Sequence, residues 1–201
     1  MLEQYLTEKY GCEKMPGQTI RRVLQGEYSK YRDHLKALDA ESRTLRFANP
    51  VADLVIDRFC DGVEAKYYNH ILFAVEDSDL NFIAVGHIAL EEGRKMELAF
   101  SVHKDYQGQG LGNRLMARCI QWCRIHGYLD GCMVCLRSNS KIRHLCRKYG
   151  ITVENECDEA LADIKLAPAD FGAYLGETVD TQLGVWDYWS KRALSKPSLL
   201  F

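Results

Sequence analysis

Met96-Glu-Leu-Ala-Phe-Ser-Val-His-Lys-Asp-Tyr-Gln107-Gly-Gln-Gly110-Leu-Gly112-Asn-Arg-Leu-Met116 is the stretch whose reading decides the fold. Met96–His103 reads as a strand. A glycine-rich turn follows, and the turn opens a helix. Leu111, Leu115, Met116, Cys119, Ile120 and Cys123 then fall on one helical face, running to about His126 before Gly127. At the start of such a helix the backbone N–H groups have no intrahelical partner, and the helix dipole adds partial positive charge. The junction is an anion site, suited to a phosphate or pyrophosphate. Its glycines allow a ligand to approach the backbone closely.

Two familiar phosphate loops do not fit. No Gly-Lys-Ser/Thr follows, so the Walker A pattern is absent. Gly108-x-Gly110-x-Gly112 has its third glycine one place early for the dinucleotide fingerprint, and Asn113 takes the required position. The preceding strands also form a meander instead of opening a βαβ unit. They are His70–Glu76, Phe82–Leu90 and Met96–His103, separated by polar turns at Asp77-Ser-Asp79 and Glu91–Lys95.

Further out, Thr19–Leu24 reads as a first strand, and Tyr28, Tyr31, Leu35 and Leu38 are spaced as a helix. Asn49-Pro50 is expected to open a second helix, Asn as cap and Pro at the first helical position. Its apolar face would be Val51, Leu54, Val55 and Phe59. Downstream, Cys132–Leu136 reads as a strand and Ser140–Tyr149 as a helix ended by Gly150. Ile151–Glu154 and Glu159–Leu166 read as closing strands. The order is β-α-α-β-β-β-α-β-α-β-β, which is an α/β (α+β) class with about seven strands. Beyond Pro168 a Tyr- and Trp-rich segment reads largely as helix.

The 201 residues suffice for one domain with a core of its own. With 26 basic and 28 acidic side chains the formal charge is −2, which argues against a nucleic-acid face and a polybasic membrane contact. No apolar run reaches about 18 residues, so no membrane span is expected. Met1–Lys9 lacks the apolar core of a secretory signal, and a cytoplasmic location is expected. The eight cysteines are Cys12, Cys60, Cys119, Cys123, Cys132, Cys135, Cys146 and Cys157. Cys132 and Cys135 lie three apart on a strand and point to opposite faces, which does not suit one metal. We read the cysteines as reduced packing residues and expect no metal site.

Gln107-x-x-Gly110-x-Gly112 resembles the Gln/Arg-x-x-Gly-x-Gly/Ala signature of the GNAT superfamily of N-acetyltransferases. Asn139, Leu145, Gly150 and Ile151 resemble its later motif at the same offsets. The resemblance covers residues 19–166, leaving an N-terminal lead at 1–18 and a C-terminal helical extension at 167–201. Within the superfamily it is most similar to the catalytic domain of bacterial Pat-type protein-lysine acetyltransferases. Asp39–Phe47 and Glu97–Gln107 carry that likeness. It implies the GNAT fold, with a mixed sheet and helices on both faces, and acetyl-CoA as co-substrate with an amine acceptor.

The resemblance also implies roles. The N–H groups of Gln109, Gly110, Gly112 and Asn113, with Leu111 between them, would hold the pyrophosphate. Gln107 and Gly108 would shape the turn. Phe100, Ser101 and Val102 would pair with the pantetheine arm, and Asn139 would bond the arm from the other side. Arg114 and Arg147 are open to phosphate contact or to a solvated helix face. Glu97 would be the general base; its alternative is a strand-edge Glu paired with Arg94 or Lys95. Cys146 occupies the place where many GNAT enzymes carry a tyrosine acid, but it reads better as packing, with Tyr149 one turn on. His70, His87 and His103 are rival bases, and His34, His126 and His144 read as helix-surface residues. Asp53, Asp57, Asp61 and Glu64 would suit a cationic acceptor or simply form a solvated face.

In the extension, Val179, Leu183, Trp186 and Ala193 form one stripe, with Val185 and Trp189 beside it. The segment could pack back, cover the acceptor site, or hold a homodimer. A non-catalytic acyl-CoA-binding module is the alternative function.

Overall fold

The computed structural model describes residues 19–156 and 159–194; the N-terminal lead with Cys12, and Cys157, lie outside the described residues. One seven-stranded sheet organises the chain. Its strands are β1 (Ile20–Arg22), β2 (His70–Glu76), β3 (Phe82–Glu91), β4 (Lys95–Val102), β5 (Asp130–Leu136), β6 (Thr152–Glu156) and β7 (Glu159–Lys165). Their spatial order is β1-β2-β3-β4-β5-β7-β6. Every neighbouring pair is antiparallel except β4 and β5, which run parallel. The expected mixed sheet is therefore present.

The helices are α1 (Tyr28–Ala37), α2 (Ala40–Phe47), α3 (Asp53–Ala65), α4 (Leu111–His126), α5 (Ser140–Lys148) and α6 (Phe171–Leu194). Successive side chains on a strand point to opposite faces, and β2 feeds two cores accordingly. Ile71, Phe73 and Val75 pack with Leu111, Leu115, Met116 and Cys119 of α4. Leu72 and Ala74 pack with Tyr31 and Leu35 of α1 and with Ile56, Cys60 and Val63 of α3. Each large apolar side chain so buried contributes about 1.5–3 kcal/mol relative to exposure.

Three expectations are corrected. Asn49-Pro50 caps no helix. A separate helix, α2, precedes it: Asp39 accepts from Ser42 N at 3.0 Å and so caps α2, which ends at Ala48 in a left-handed conformation. α3 starts later, at Asp53. Its buried face is Ile56, Cys60 and Val63; of the expected face, Val51 and Phe59 pack against that core, while Leu54 and Val55 are exposed. His34, read as a surface residue, is buried between α1 and the sheet.

The extension packs back on the sheet edge; of its apolar stripe, Leu183, Trp186 and Ala193 are exposed, and the Val179 side chain lies outside what is described. Gly184 lies against β1, where a Cβ would come 2.9 Å from Arg21 Cβ. Arg21 stacks 4.4 Å over the Tyr188 ring, and Lys191 Nζ donates to Glu76 O at 3.1 Å. Arg21 is fixed for this by Glu76 and Glu27, which accept from its guanidinium. Leu183, Val185, Trp186 and Trp189 point outward instead. Among the described residues no helix is long and apolar enough to cross a membrane.

Candidate functional site

The parallel ladder between β4 and β5 has only three rungs: Lys95–Asp130, Met96–Gly131 and Glu97–Cys132. Past Glu97 the two strands continue unpaired with each other, β4 to Val102 and β5 to Leu136. β4 keeps its pairing to β3 through Ala84–Val102. The sheet therefore splits into a V. Gly131 sits at the vertex, where a Cβ would overlap Met96 O and Met96 Sδ. The backbones can meet there only because residue 131 has no side chain.

Glu97 occupies the last rung. Met96 and Leu98 enter the α4-side core, so Glu97 faces the α1–α3 side, half-buried. Neither Arg94 nor Lys95 pairs with it among the described residues. Beside it, Cys132 has its thiol pushed up, first by burial and then by the Glu97 carboxylate. α2 lies over β4 and β5 on this same side.

The backbone facing the split comes from Phe100, Ser101 and Val102. Phe100 and Val102 pack toward α4, whereas Ser101 is buried on the opposite face. There His34 Nδ1 lies 2.8 Å from Phe82 O and Nε2 lies 2.9 Å from Ser101 Oγ. A carbonyl only accepts, so His34 carries its proton on Nδ1 and accepts a hydrogen bond from the Ser101 hydroxyl on Nε2. Burial lowers its pKa to about 4.

β4 runs into the turn Lys104–Tyr106 and then the glycine-rich loop. Gly108 and Gly110 have φ of 79° and 76°, in the left-handed region. No atom lies within 4 Å of a Cβ built on either, so the space above the loop is open. Gly110 is the N-cap of α4 and supplies no side-chain cap. The first-turn N–H groups, from Leu111 to Asn113, therefore have no side-chain oxygen from their own cap. Leu111 itself is anchored in the core. Gln109 Nε2 donates to Asp105 O at 3.4 Å, and Tyr149 donates to Asn113 Oδ1 at 3.0 Å. A Cβ on Gly112 would make only ordinary contact, 3.7 Å, with Leu145.

Gln107 ties the loop together. Its Nε2 donates to Ser42 Oγ and to Val102 O, each at 3.1 Å, and Lys141 Nζ donates to its Oε1 at 2.7 Å. Asn139 is the N-cap of α5, accepting from Ile142 N at 3.1 Å. Its amide oxygen is thus engaged, leaving the NH2 as the group able to meet a ligand. Lys141 and Ser42 were missed by sequence reasoning. A lysine two residues after the cap asparagine at a helix start was the available signal for the first.

Residues 35–151 match the model of the Acetyltransferase (GNAT) family. The chain belongs to the GNAT family of N-acetyltransferases. It is 25% identical to Acetyltransferase PA5475 of Pseudomonas aeruginosa over 146 residues, 70% of this chain and 78% of that protein. The GNAT domain of S. lividans PAT superposes with a TM-score of 0.60 at 19% identity, covering 73% of this chain and 89% of that one. Spermidine N-acetyltransferase from Vibrio cholerae, in complex with CoA and spermine, gives 0.57 at 16% identity, covering 75% and 95%. GNAT enzymes use acetyl-CoA and acetylate amines.

Cys146 is fully buried, and burial holds its thiol at about 11, so it packs. Cys132 and Cys135 point to opposite faces, as the strand period requires, with Cys135 Sγ donating to Ala160 O at 3.6 Å. Among the described residues no group of His, Cys, Asp or Glu could hold a metal. The acidic face of α3 is paired. Arg32 reaches Asp61 at 2.6 Å, Lys36 reaches Asp57 at 2.6 Å, and Arg43 reaches Asp53 at 2.6 Å. Those carboxylates clamp α3 to α1 and α2. His126 stacks on Trp122 at 4.0 Å and His144 is exposed, both on helix surfaces. His103 lies 3.6 Å from Asp105.

Proposed function

We propose that the protein is a cytoplasmic acetyl-CoA-dependent N-acetyltransferase in which Glu97 is the general base for direct attack by a primary amine, a protein lysine or a small amine. We assign this activity to residues 19–166. The observation that carries the reading is the parting of β4 and β5 immediately past Glu97. It leaves the inner edges of the two strands without a partner strand, on the side where β4 leads into the open glycine loop. The fit to acetyl-CoA rests on that geometry. The pyrophosphate would lie on the N–H groups of Gln109, Gly110, Leu111, Gly112 and Asn113, with Lys141 adding positive charge beside them. The pantetheine arm would take the place of a strand against Phe100, Ser101 and Val102, with the Asn139 amide on its other side. Gln107 and Gly108 would hold the turn in shape.

Acetyl-CoA supplies an activated thioester. Glu97, which has no ion-pair partner among the described residues, takes a proton from the ammonium nucleophile, directly or through water. The amine nitrogen bonds to the acetyl carbon, the C–S bond breaks, and coenzyme A leaves as the thiol. N–H groups from Ala99 to Ser101 would polarise the acetyl oxygen. With Cys146 in the core, the thiolate takes its proton from solvent. An acceptor screen following free-thiol release tests this. Tight coenzyme A binding with no thiol release from any amine or lysine peptide would favour a non-catalytic acyl-CoA-binding module.

The outward face of α6 favours a second element of this reading, a homodimer held through the extension. Trp186 and Trp189 are 74% and 58% exposed beside Leu183 and Val185, and large aromatics of this kind are frequent interface anchors.

A further inference from the structure

Two histidines that sequence reasoning weighed as bases are joined in a chain with a direction. Arg46 Nη2 lies 3.3 Å from His87 Nδ1 and 3.0 Å from Tyr31 Oη, and Tyr31 Oη is itself 3.3 Å from His87 Nδ1. His87 Nε2 lies 3.0 Å from His70 Nδ1. A guanidinium has no acceptor. His87 Nδ1 must therefore accept, and the proton of the neutral ring sits on Nε2. That N–H donates to His70 Nδ1, which places the proton of neutral His70 on its own Nε2. Burial and the charge of Arg46 hold His87 neutral, and burial and Lys66 lower His70 in the same sense. Arg46 is braced by the faces of Phe47 and Phe59, at 5.0 and 5.5 Å.

The chain thus polarises hydrogen bonds from a cation toward a terminal donor, His70 Nε2–H, on the ring edge away from His87. No described residue accepts from it. His70 is only half-buried. Its position ties it to Glu97: the cross-strand row reads His70, Ala89, Glu97 on one sheet face. At the usual strand spacing the two backbones are about 10 Å apart. The residue between them in that row is Ala89, whose side chain is a single methyl group.

We propose that His70 selects the acceptor. Its Nε2–H donates a hydrogen bond to a carbonyl or carboxylate oxygen set back from the nitrogen that Glu97 deprotonates. This rests on the Glu97 reading above. It narrows the acceptor to lysyl or aminoacyl compounds. A polyamine has no such oxygen, and the Lys66 charge that acts on His70 disfavours a second ammonium there.

The test compares Nα-acetyl-lysinamide with n-butylamine, which lacks the oxygen, in wild type, His70→Ala and His70→Gln. A Gln amide keeps an N–H donor. We expect wild type to favour the lysinamide in kcat/KM, His70→Ala to lose about tenfold on the lysinamide alone, mostly in KM, and His70→Gln to recover much of it. Long-range 1H–15N spectra should show both rings protonated on Nε2, with the His70 signal moving on addition of the lysinamide. Equal losses for both amines, no wild-type preference, or a proton on His70 Nδ1 would overturn the proposal. Glu97→Gln without effect on turnover would sink the base assignment but leave the amine comparison readable.

Discussion

Glu97 and Cys132 face each other across the last rung of the parallel ladder, and beyond them the sheet divides. A half-buried thiol therefore neighbours the proposed base. Burial first, and the Glu97 charge second, push the Cys132 thiol up. Removing that charge lowers the thiol's pKa and raises its thiolate fraction at a given pH. Glu97→Gln should alkylate faster at Cys132 with iodoacetamide, followed by peptide mass spectrometry. An unchanged rate would mean the two groups do not communicate.

The same substitution should reduce kcat by about 100-fold or more, the usual scale for loss of a general base. Coenzyme A affinity by calorimetry should stay within about twofold. A parallel loss of affinity would show that Glu97 serves binding instead.

Gly131→Ala forces a methyl group into Met96 O and Sδ at the vertex. Overpacking against backbone costs about 1–3 kcal/mol, equivalent to a drop of roughly 2–12 °C in Tm for a chain of this size. Thermal unfolding reads this directly, and an unaltered Tm would contradict the close approach.

Buried neutral His34 makes stability depend on acid. Its pKa is about 4 in the fold against 6.5 in the open chain. The unfolded state binds the proton first, so the contribution is complete above about pH 6.5. It disappears as the pH falls toward 4, amounting to about 3 kcal/mol. His87 and His70 act in the same direction. Urea midpoints measured from pH 7 to 4 should fall, and His34→Gln should flatten part of the slope.

Trp186→Glu should convert the proposed homodimer to a monomer in light-scattering chromatography. The side chain is exposed, so Tm at low protein concentration should hold. A wild-type protein that is monomeric at high concentration would remove α6 as an interface.

Much of the sheet was legible because its strands are short apolar or alternating runs bounded by clear turns. His70–Glu76 is a continuous apolar run buried on both faces and Glu159–Lys165 alternates, and neither leaves much room for another reading. The loop and α4 were legible for the same reason: glycines break a strand and a long apolar period follows. α2 was not, because its eight residues are mostly polar and its signal was one Asp39 cap three residues before Ser42. The α3 face was misread because Leu54 and Val55 fit an apolar period that begins before the helix does. His34 and the Arg46–His87–His70 chain were out of reach, since partners 17 to 67 residues apart leave no local pattern. The docked face of α6 escaped for a different reason. It rests on a glycine, a tyrosine under a guanidinium and a lysine, none of which an apolar stripe describes.

That docking has a consequence for how the molecule assembles. β1 is a three-residue edge strand, and Lys191 meets Glu76 from 115 positions away. Contacts of such separation form late, after the loop-closure entropy has been met. Until then the β1 edge has hydrogen-bonding groups turned to water, a template for pairing with another chain. The last helix thus acts as a guard on the first strand. Variants that loosen Gly184 or Lys191 should show their defect as aggregation during refolding before it appears in the activity of the folded enzyme.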